Sequence, residues 1–145
     1  MRNIRKYLDL FFKISNFTII ILYLYPGSIL GWILYGNLKS QPQLTGDFLY
    51  LSSNHFYTFA ILSFIAVLNY SNNSKKLNYI FLYLLFISII LELAHIIIPN
   101  RSFQFEDLIG NITGVIISFI LSIFHSFDEF SSFQRAFSSL VLPHP

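Results

Sequence analysis

The sequence predicts an all-α integral membrane protein with four transmembrane helices and short flanking amphipathic helices. Hydrophobic residues make up 54% of the 145 residues and charged residues only 11%, whereas soluble domains carry about 25% charged residues. The apolar residues fall into long runs that approach the ~20 residues needed to cross a bilayer. Spans therefore account for almost the whole chain, which leaves no room for a large extramembrane domain.

Four apolar runs define the predicted spans. The first contains Pro26 and Gly27, which membrane helices tolerate when neighbouring helices satisfy the freed backbone groups. The second and fourth runs are short, so these spans must stand nearly upright or extend into polar flanks. The predicted spans cover residues 15–35, 55–70, 77–98 and 108–124.

Two flanking segments complete the predicted organisation. Residues 1–14 form a basic amphipathic segment, and residues 126–145 form an interfacial tail, on either side of a four-helix domain over residues 15–125. In the tail, Ser126 and Glu129 have the spacing of a helix-starting capping box. Aromatic and aliphatic side chains then recur at helical spacing, which predicts a surface helix or a docking surface for a partner.

Charge distribution predicts the orientation. Arg and Lys precede the first span and follow the second, while the other two connections are nearly free of them. The positive-inside rule then places both termini in the cytoplasm. The net charge of +2 is too small for nucleic-acid binding, and the absence of cysteine excludes disulfides and thiolate chemistry.

Polar side chains gather at the ends of the apolar runs that this orientation places on the outer side. Burying an ionisable group in a membrane costs at least ~2.5–3.5 kcal/mol at a helix centre, so such residues are functional-site candidates. The predicted polar cluster consists of His55, Glu92, His95, Arg101, Asp107 and Asn111.

Each member of this cluster has more than one interpretation. Glu92 and His95 share a helical face at i, i+3. They can form a structural pair, an acid–base pair or a recognition site for a polar head group. Arg101 can pair with Glu92 or Asp107, or hold a phosphate through its forked donors. Asp107 can act in catalysis or cap its helix. His55 can be a ligand, a proton carrier or an interfacial side chain.

Other features predict packing rather than chemistry. Gly110, Gly114 and Ser118 form a small-residue face that lets another helix approach closely. The catalytic residues stay unknown, because no serine has an evident activating base. We predict no metal or other cofactor; the weaker alternative is a metal, haem or pigment bound through His55 or His95.

These residues resemble the pattern of the VanZ-like family of small bacterial membrane proteins. That pattern has a His at the start of a span, a Glu near the end of a later one, then Pro-x-Arg, Asp, Asn and Gly. The matching positions are His55, Glu92, His95, Pro99, Arg101, Asp107, Asn111 and Gly114. The chain departs from the pattern at Leu51 and Ser52, where the family usually has Asp-Lys, and at His95, commonly Gln.

The resemblance implies a four-helix protein of the bacterial inner membrane, in a family named for a member linked to glycopeptide-antibiotic resistance. The missing charges favour a non-catalytic accessory subunit packed with other integral membrane subunits. The alternative is a cell-envelope protein that binds or processes an anionic lipid or lipid-linked glycan at the outer polar cluster. Membrane lipids are expected partners in both cases.

Overall fold

The computed structural model describes residues 2–43, 45–48 and 50–141, and the side chains of residues 6–124 within these ranges. The regular elements in this part of the chain are helices, in agreement with the predicted all-α class. They are α1 (Arg2–Leu24), α2 (Ile29–Tyr35), α3 (Ser53–Tyr70), α4 (Ser74–Ala94) and α5 (Phe105–Val141).

Three stretches of helix among the described residues are long and apolar enough to cross a membrane. They are Lys6–Leu24 in α1, Ser74–Ala94 in α4 and Phe105–Phe124 in α5. Helix α3 is more polar and more buried, and it packs against all three. Its side chains Phe59, Leu62 and Ala66 recur on one face and are at most 1% exposed, as expected for the helix at the centre of a bundle.

The first helix differs from the predicted span at both ends. It begins at Arg2, so the charged segment before the predicted span is part of the same helix. Within that segment, Lys13 pairs with Asp9 at i, i+4 (2.6 Å). It ends at Leu24, since Gly27 adopts a φ of +100° that favours glycine. The predicted continuation through Pro26 to residue 35 is therefore wrong, and a separate short helix follows.

Helix α2 is held against the following loop rather than in line with α1. The Ser28 backbone N–H donates to the Leu38 carbonyl at 2.7 Å, and the Ser28 hydroxyl caps α2 by accepting from the Gly31 N–H at 2.9 Å. A Cβ on Gly31 would lie 1.6 Å from the Ser40 carbonyl oxygen. The chain thus folds back tightly above the end of α1.

The last helix passes the predicted start of the tail without interruption. Helix α5 runs from Phe105 to Val141, so Ser126 does not begin a helix as its capping-box spacing predicts. The tail's side chains lie outside the described ones, and residues 142–145 lie outside the described residues. The interfacial location of the tail stays a prediction.

Candidate functional site

The six residues of the predicted polar cluster meet where α1, α3, α4 and α5 come together. Helix ends position them: His55 lies in the first turn of α3, Glu92 in the last turn of α4, and Asp107 and Asn111 in the first two turns of α5. Arg101 is half-buried in the loop between α4 and α5. The other five are buried, Glu92 and Asn111 with 0% exposure. The four helices therefore enclose a polar centre in an apolar bundle.

His55 lies between two polar groups from α5. Its Nε2 is 3.3 Å from Asp107 Oδ2, and its Nδ1 is 3.1 Å from Asn111 Oδ1. The Tyr23 hydroxyl is 3.0 Å from the same Nδ1. Asp107 also hydrogen-bonds Ser52, one of the positions that departs from the family pattern. His55 thus links α3 to α5 through both ring nitrogens.

The side chain of Asn111 has one orientation that fits its neighbours. Its Nδ2 faces the Ser88 carbonyl oxygen at 3.4 Å, and its Oδ1 accepts from the Tyr23 hydroxyl at 2.8 Å. Because a carbonyl oxygen only accepts hydrogen bonds, the amide nitrogen must face Ser88. The oxygen is therefore the atom turned towards His55.

Glu92 and His95 form the i, i+3 pair expected from their spacing. Glu92 Oε1 is 3.3 Å from His95 Nδ1 and accepts from the Gln104 backbone N–H at 3.1 Å. The other ring nitrogen of His95, Nε2, donates to the Tyr23 carbonyl at 3.1 Å. In contrast, Glu92 Oε2 is buried and has no hydrogen-bond partner among the described residues. It is 3.8 Å from His55 Nδ1.

Arg101 does not pair with a carboxylate in the described part of the chain, which corrects the prediction of an ion pair with Glu92 or Asp107. Its Nη2 donates to the Leu22 carbonyl at 2.9 Å, and its Nε lies 3.4 Å from the Tyr25 carbonyl. These oxygens lie at the C-terminal end of α1, where the helix dipole favours a cation. Desolvation lowers the pKa of the guanidinium from its ordinary value, and the nearby acidic groups oppose that shift.

Tyr23 is the central residue that the sequence analysis missed. It is 8% exposed, and its ring stacks on His95 with the ring planes 16° apart. Its hydroxyl and carbonyl oxygens contact three members of the cluster, as described above. The available signal was a tyrosine within an apolar run, because a buried tyrosine hydroxyl usually needs a hydrogen-bond partner.

The small-residue face of α5 lies against α3. A Cβ on Gly110 would be 2.8 Å from the Ser52 carbonyl oxygen, and one on Gly114 would be 2.4 Å from the Phe56 carbonyl oxygen. One turn later, the Ser118 hydroxyl donates to the Ala60 carbonyl at 3.0 Å. This close approach brings Asp107 and Asn111 within reach of His55.

Side-chain atoms that could bind a metal ion lie close together at the polar centre. Both nitrogens of His95 are engaged, with Glu92 and with the Tyr23 carbonyl. Donor atoms of His55, Glu92 and Asp107 lie within 4.8 Å of one another. Among the described residues, His55, Glu92 and Asp107 are therefore the candidate metal ligands.

Two adjoining cavities reach the polar centre from the side of α2. The first has a volume of about 270 Å³ and a mainly apolar wall; we call it the apolar cavity. The second has a volume of about 130 Å³ and a polar wall that includes Lys39, Arg101 and Asp107; we call it the polar cavity. Both cavities are lined by Ser28, Gln41, His95 and Arg101.

Comparisons with known proteins identify the family. Searches of curated proteins and of solved structures found no significant match. In contrast, the model of the VanZ/LLP1 family matches residues 9–126, which include most of α1, all of α2 to α4 and the candidate span of α5. The chain therefore belongs to the VanZ/LLP1 family.

Proposed function

We propose that this VanZ-like membrane protein binds an anionic lipid or lipid-linked glycan at the paired cavities. The observation that carries the proposal is that an apolar and a polar cavity adjoin and share His95 and Arg101. An amphipathic ligand needs this combination, with a wall for its chain next to donors for its head group. Binding sites with mostly apolar linings and few polar groups are typical of small-molecule ligands.

The charges at the polar cavity favour an anionic head group. Lys39 and Arg101 contribute two cations, while Asp107 contributes one carboxylate that faces His55. Arg101 is anchored to the end of α1, so little of its conformational freedom remains to be lost when an anion binds. A guanidinium carries five N–H donors, so those that do not bind the carbonyls of Leu22 and Tyr25 can donate to an anionic oxygen.

The apolar cavity supplies a wall for a lipid chain. Its lining includes Ile19 and Leu22 from α1 and three residues of α2, Ile29, Leu30 and Leu34. Several large side chains of α2 are exposed, among them Trp32 at 60% and Tyr35 at 62%. Trp and Tyr are enriched where membrane meets water. Helix α2 would then lie at the membrane surface, beside the entrance for a lipid.

Binding without turnover fits the engagement of the potential bases. Both ring nitrogens of His55 and of His95 already contact groups of the protein. A general base must reach the proton that it abstracts. The nitrogens of these two imidazoles are directed at protein groups rather than at a substrate. We therefore propose recognition or sequestration of the lipid rather than a reaction on it.

We also propose that α3 is a fourth span and that both termini are cytoplasmic in the bacterial inner membrane. Helix α3 has 18 residues, a length of about 27 Å, which is close to the ~30 Å of bilayer hydrocarbon. Its burial by the three apolar helices supports a position within the membrane despite its lower hydropathy. The polar centre would then lie near the outer surface.

An accessory role in a larger membrane assembly is the second candidate. Helix α5 has 37 residues, a length of about 55 Å, so it extends well beyond a ~30 Å hydrocarbon layer. Such an extension suits contact with a partner subunit. Removing residues 126–145 should then reduce co-purification of partners while the bundle stays folded; unchanged co-purification would count against this role.

Native mass spectrometry of the delipidated protein in mild detergent tests lipid binding. We expect dioleoyl phosphatidate to bind at one per chain and phosphatidylcholine to bind at least ten-fold more weakly. Lys39→Gln should weaken phosphatidate binding, and the control Lys75→Gln, an exposed residue outside these cavities, should not. Equal binding of both lipids, or equal effects of the two substitutions, would contradict the proposal.

A further inference from the structure

We propose that His55, Asp107 and Glu92 hold a divalent transition-metal ion of the zinc class at the polar centre. The ion would bind between His55 Nε2 and Asp107 Oδ2, with Glu92 as the third protein ligand. This inference does not depend on lipid binding, because it rests on contacts among the three side chains alone.

The contacts of His55 leave a position between its ring and Asp107 that a proton or a metal ion has to fill. Nδ1 faces Asn111 Oδ1, and the contact of Asn111 with the Ser88 carbonyl fixes that atom as an oxygen. Nδ1 must therefore carry a hydrogen to make this contact favourable. Nε2 faces a carboxylate oxygen, which also only accepts. A second positive centre, a proton or a metal ion, has to lie between Nε2 and Asp107.

The distance between these two atoms suits a metal ion. Zinc binds imidazole nitrogen at about 2.0–2.1 Å and carboxylate oxygen at about 2.0–2.2 Å, so two tetrahedral ligands lie about 3.3–3.5 Å apart. His55 Nε2 and Asp107 Oδ2 are 3.3 Å apart. One donor atom each of His55, Glu92 and Asp107 lies within 4.8 Å of the other two. Glu92 Oε2 is 3.8 Å from His55 Nδ1, so its side chain has to shift towards Nε2 to reach the ion.

Glu92 provides the independent indication of a ligand. It is 0% exposed, and its Oε2 has no hydrogen-bond partner among the residues with described side chains. Such a buried carboxylate oxygen costs free energy unless a cation compensates it. A divalent ion at this point would compensate the buried carboxylates of Glu92 and Asp107 together.

The residues around His55 match those found beside metal-bound histidines. Metal-bound histidines usually donate their other N–H to a carbonyl or carboxylate, which fixes the ring. Here Asn111 Oδ1 accepts from His55 Nδ1, and the Tyr23 hydroxyl donates to the same oxygen. Asp107 also lines the polar cavity, so an ion can enter there and retain an open coordination position towards it.

Cobalt titration of the chelator-stripped protein in detergent tests the site without any lipid. We expect one Co²⁺ per chain, visible as d–d absorption of a four-coordinate N/O site, and displacement by Zn²⁺ but not by Mg²⁺. Asp107→Asn should weaken binding by at least 100-fold. Glu106→Gln, an exposed neighbour on the same turn, should bind like the unmodified protein. Asn111→Ala should lose about 10–100-fold in affinity, because it removes the oxygen that orients the His55 ring.

The unmodified protein decides the question even where a variant fails to fold. If the folded chain binds no Co²⁺ or Zn²⁺ at micromolar concentrations, a proton rather than a metal ion lies between His55 and Asp107. That result would overturn the proposal. Stoichiometric binding that is equally strong in folded Asp107→Asn and Glu106→Gln variants would overturn it as well, because the ion would then lie elsewhere.

Discussion

The hydroxyl of Tyr23 in α1 donates a 2.8 Å hydrogen bond to Oδ1 of Asn111 in α5, joining residues 88 positions apart in the chain. The same hydroxyl lies 3.0 Å from His55 in α3. One phenol thus connects three helices at the polar centre. This contact orients the amide and imidazole on which the rest of the centre depends.

Tyr23→Phe should lower stability, because it removes the only hydrogen that this phenol donates. Losing one buried hydrogen bond costs about 0.5–1.5 kcal/mol, so the thermal midpoint in detergent should fall by a few degrees. Tyr79→Phe is the matched control, since Tyr79 is 74% exposed. Equal midpoints for the two variants would mean that the Tyr23 hydroxyl contributes nothing to the bundle.

Gly114→Ala should force α3 and α5 apart. The new Cβ would lie 2.4 Å from the Phe56 carbonyl oxygen and 2.8 Å from the Ala60 nitrogen, both backbone atoms that cannot rotate away. Overpacking of this kind costs about 1–3 kcal/mol. Gly46→Ala is the control, since a Cβ there meets nothing within 4 Å. A Gly114→Ala variant as stable as this control would contradict the close helix contact.

Arg101→Lys should separate charge from geometry at the end of α1. Lysine retains the positive charge but loses the forked donors that reach the carbonyls of Leu22 and Tyr25. Hydrogen bonds to charged groups contribute about 1.5–3 kcal/mol, so both Arg101→Lys and Arg101→Ala should lower the thermal midpoint. If Arg101→Lys were as stable as the unmodified protein, the positive charge alone, and not the contacts with the two carbonyls, would account for the stabilising effect of Arg101.

Single cysteines test the proposed topology, and the chain has no natural cysteine to interfere. We expect an impermeant thiol reagent to label Ser40→Cys and Ser102→Cys in intact cells and to leave Asn72→Cys unlabelled. Asn72 is preferred to its neighbour Asn73, which caps α4 by accepting from the Lys76 N–H. Labelling of the Asn72 variant alone would reverse the orientation and place the polar centre on the cytoplasmic side.

The sequence predicted the neighbourhood of the site better than its contacts. Glu92 and His95 meet because i, i+3 spacing on a helix dictates it, and the spacing of Asp107 and Asn111 places both on one face of α5. Which residue Arg101 would meet depends on where α1 ends, and that was predicted wrongly. Pro26 and Gly27 were the local signal of the break, and Gly27 does adopt a positive φ. They were interpreted as tolerated inside a span, because the fold-back of α2 is a tertiary feature that periodicity does not show.

The role of Tyr23 at the polar centre was not predicted, because it too depends on where α1 ends. An apolar run predicts burial, but it does not tell which side chain points at another helix's polar group. With the first span drawn through Pro26, Tyr23 fell in the middle of a helix rather than at its end. In the structure it lies one residue before the end of α1, beside the carbonyls that His95 and Arg101 reach.

The central claim is that the two cavities form one amphipathic binding site, and photo-crosslinking tests it most directly. The probe is a phosphatidate with a diazirine in its acyl chain, incubated with the protein in nanodiscs. We predict adducts concentrated on the side chains between residues 19 and 34 that line the apolar cavity. These adducts should be lost in Ile29→Trp but not in Ile33→Trp, because the Ile33 side chain lies outside the cavity and is 64% exposed. Adducts spread over the lipid-facing side of α4, and insensitive to Ile29→Trp, would contradict the claim.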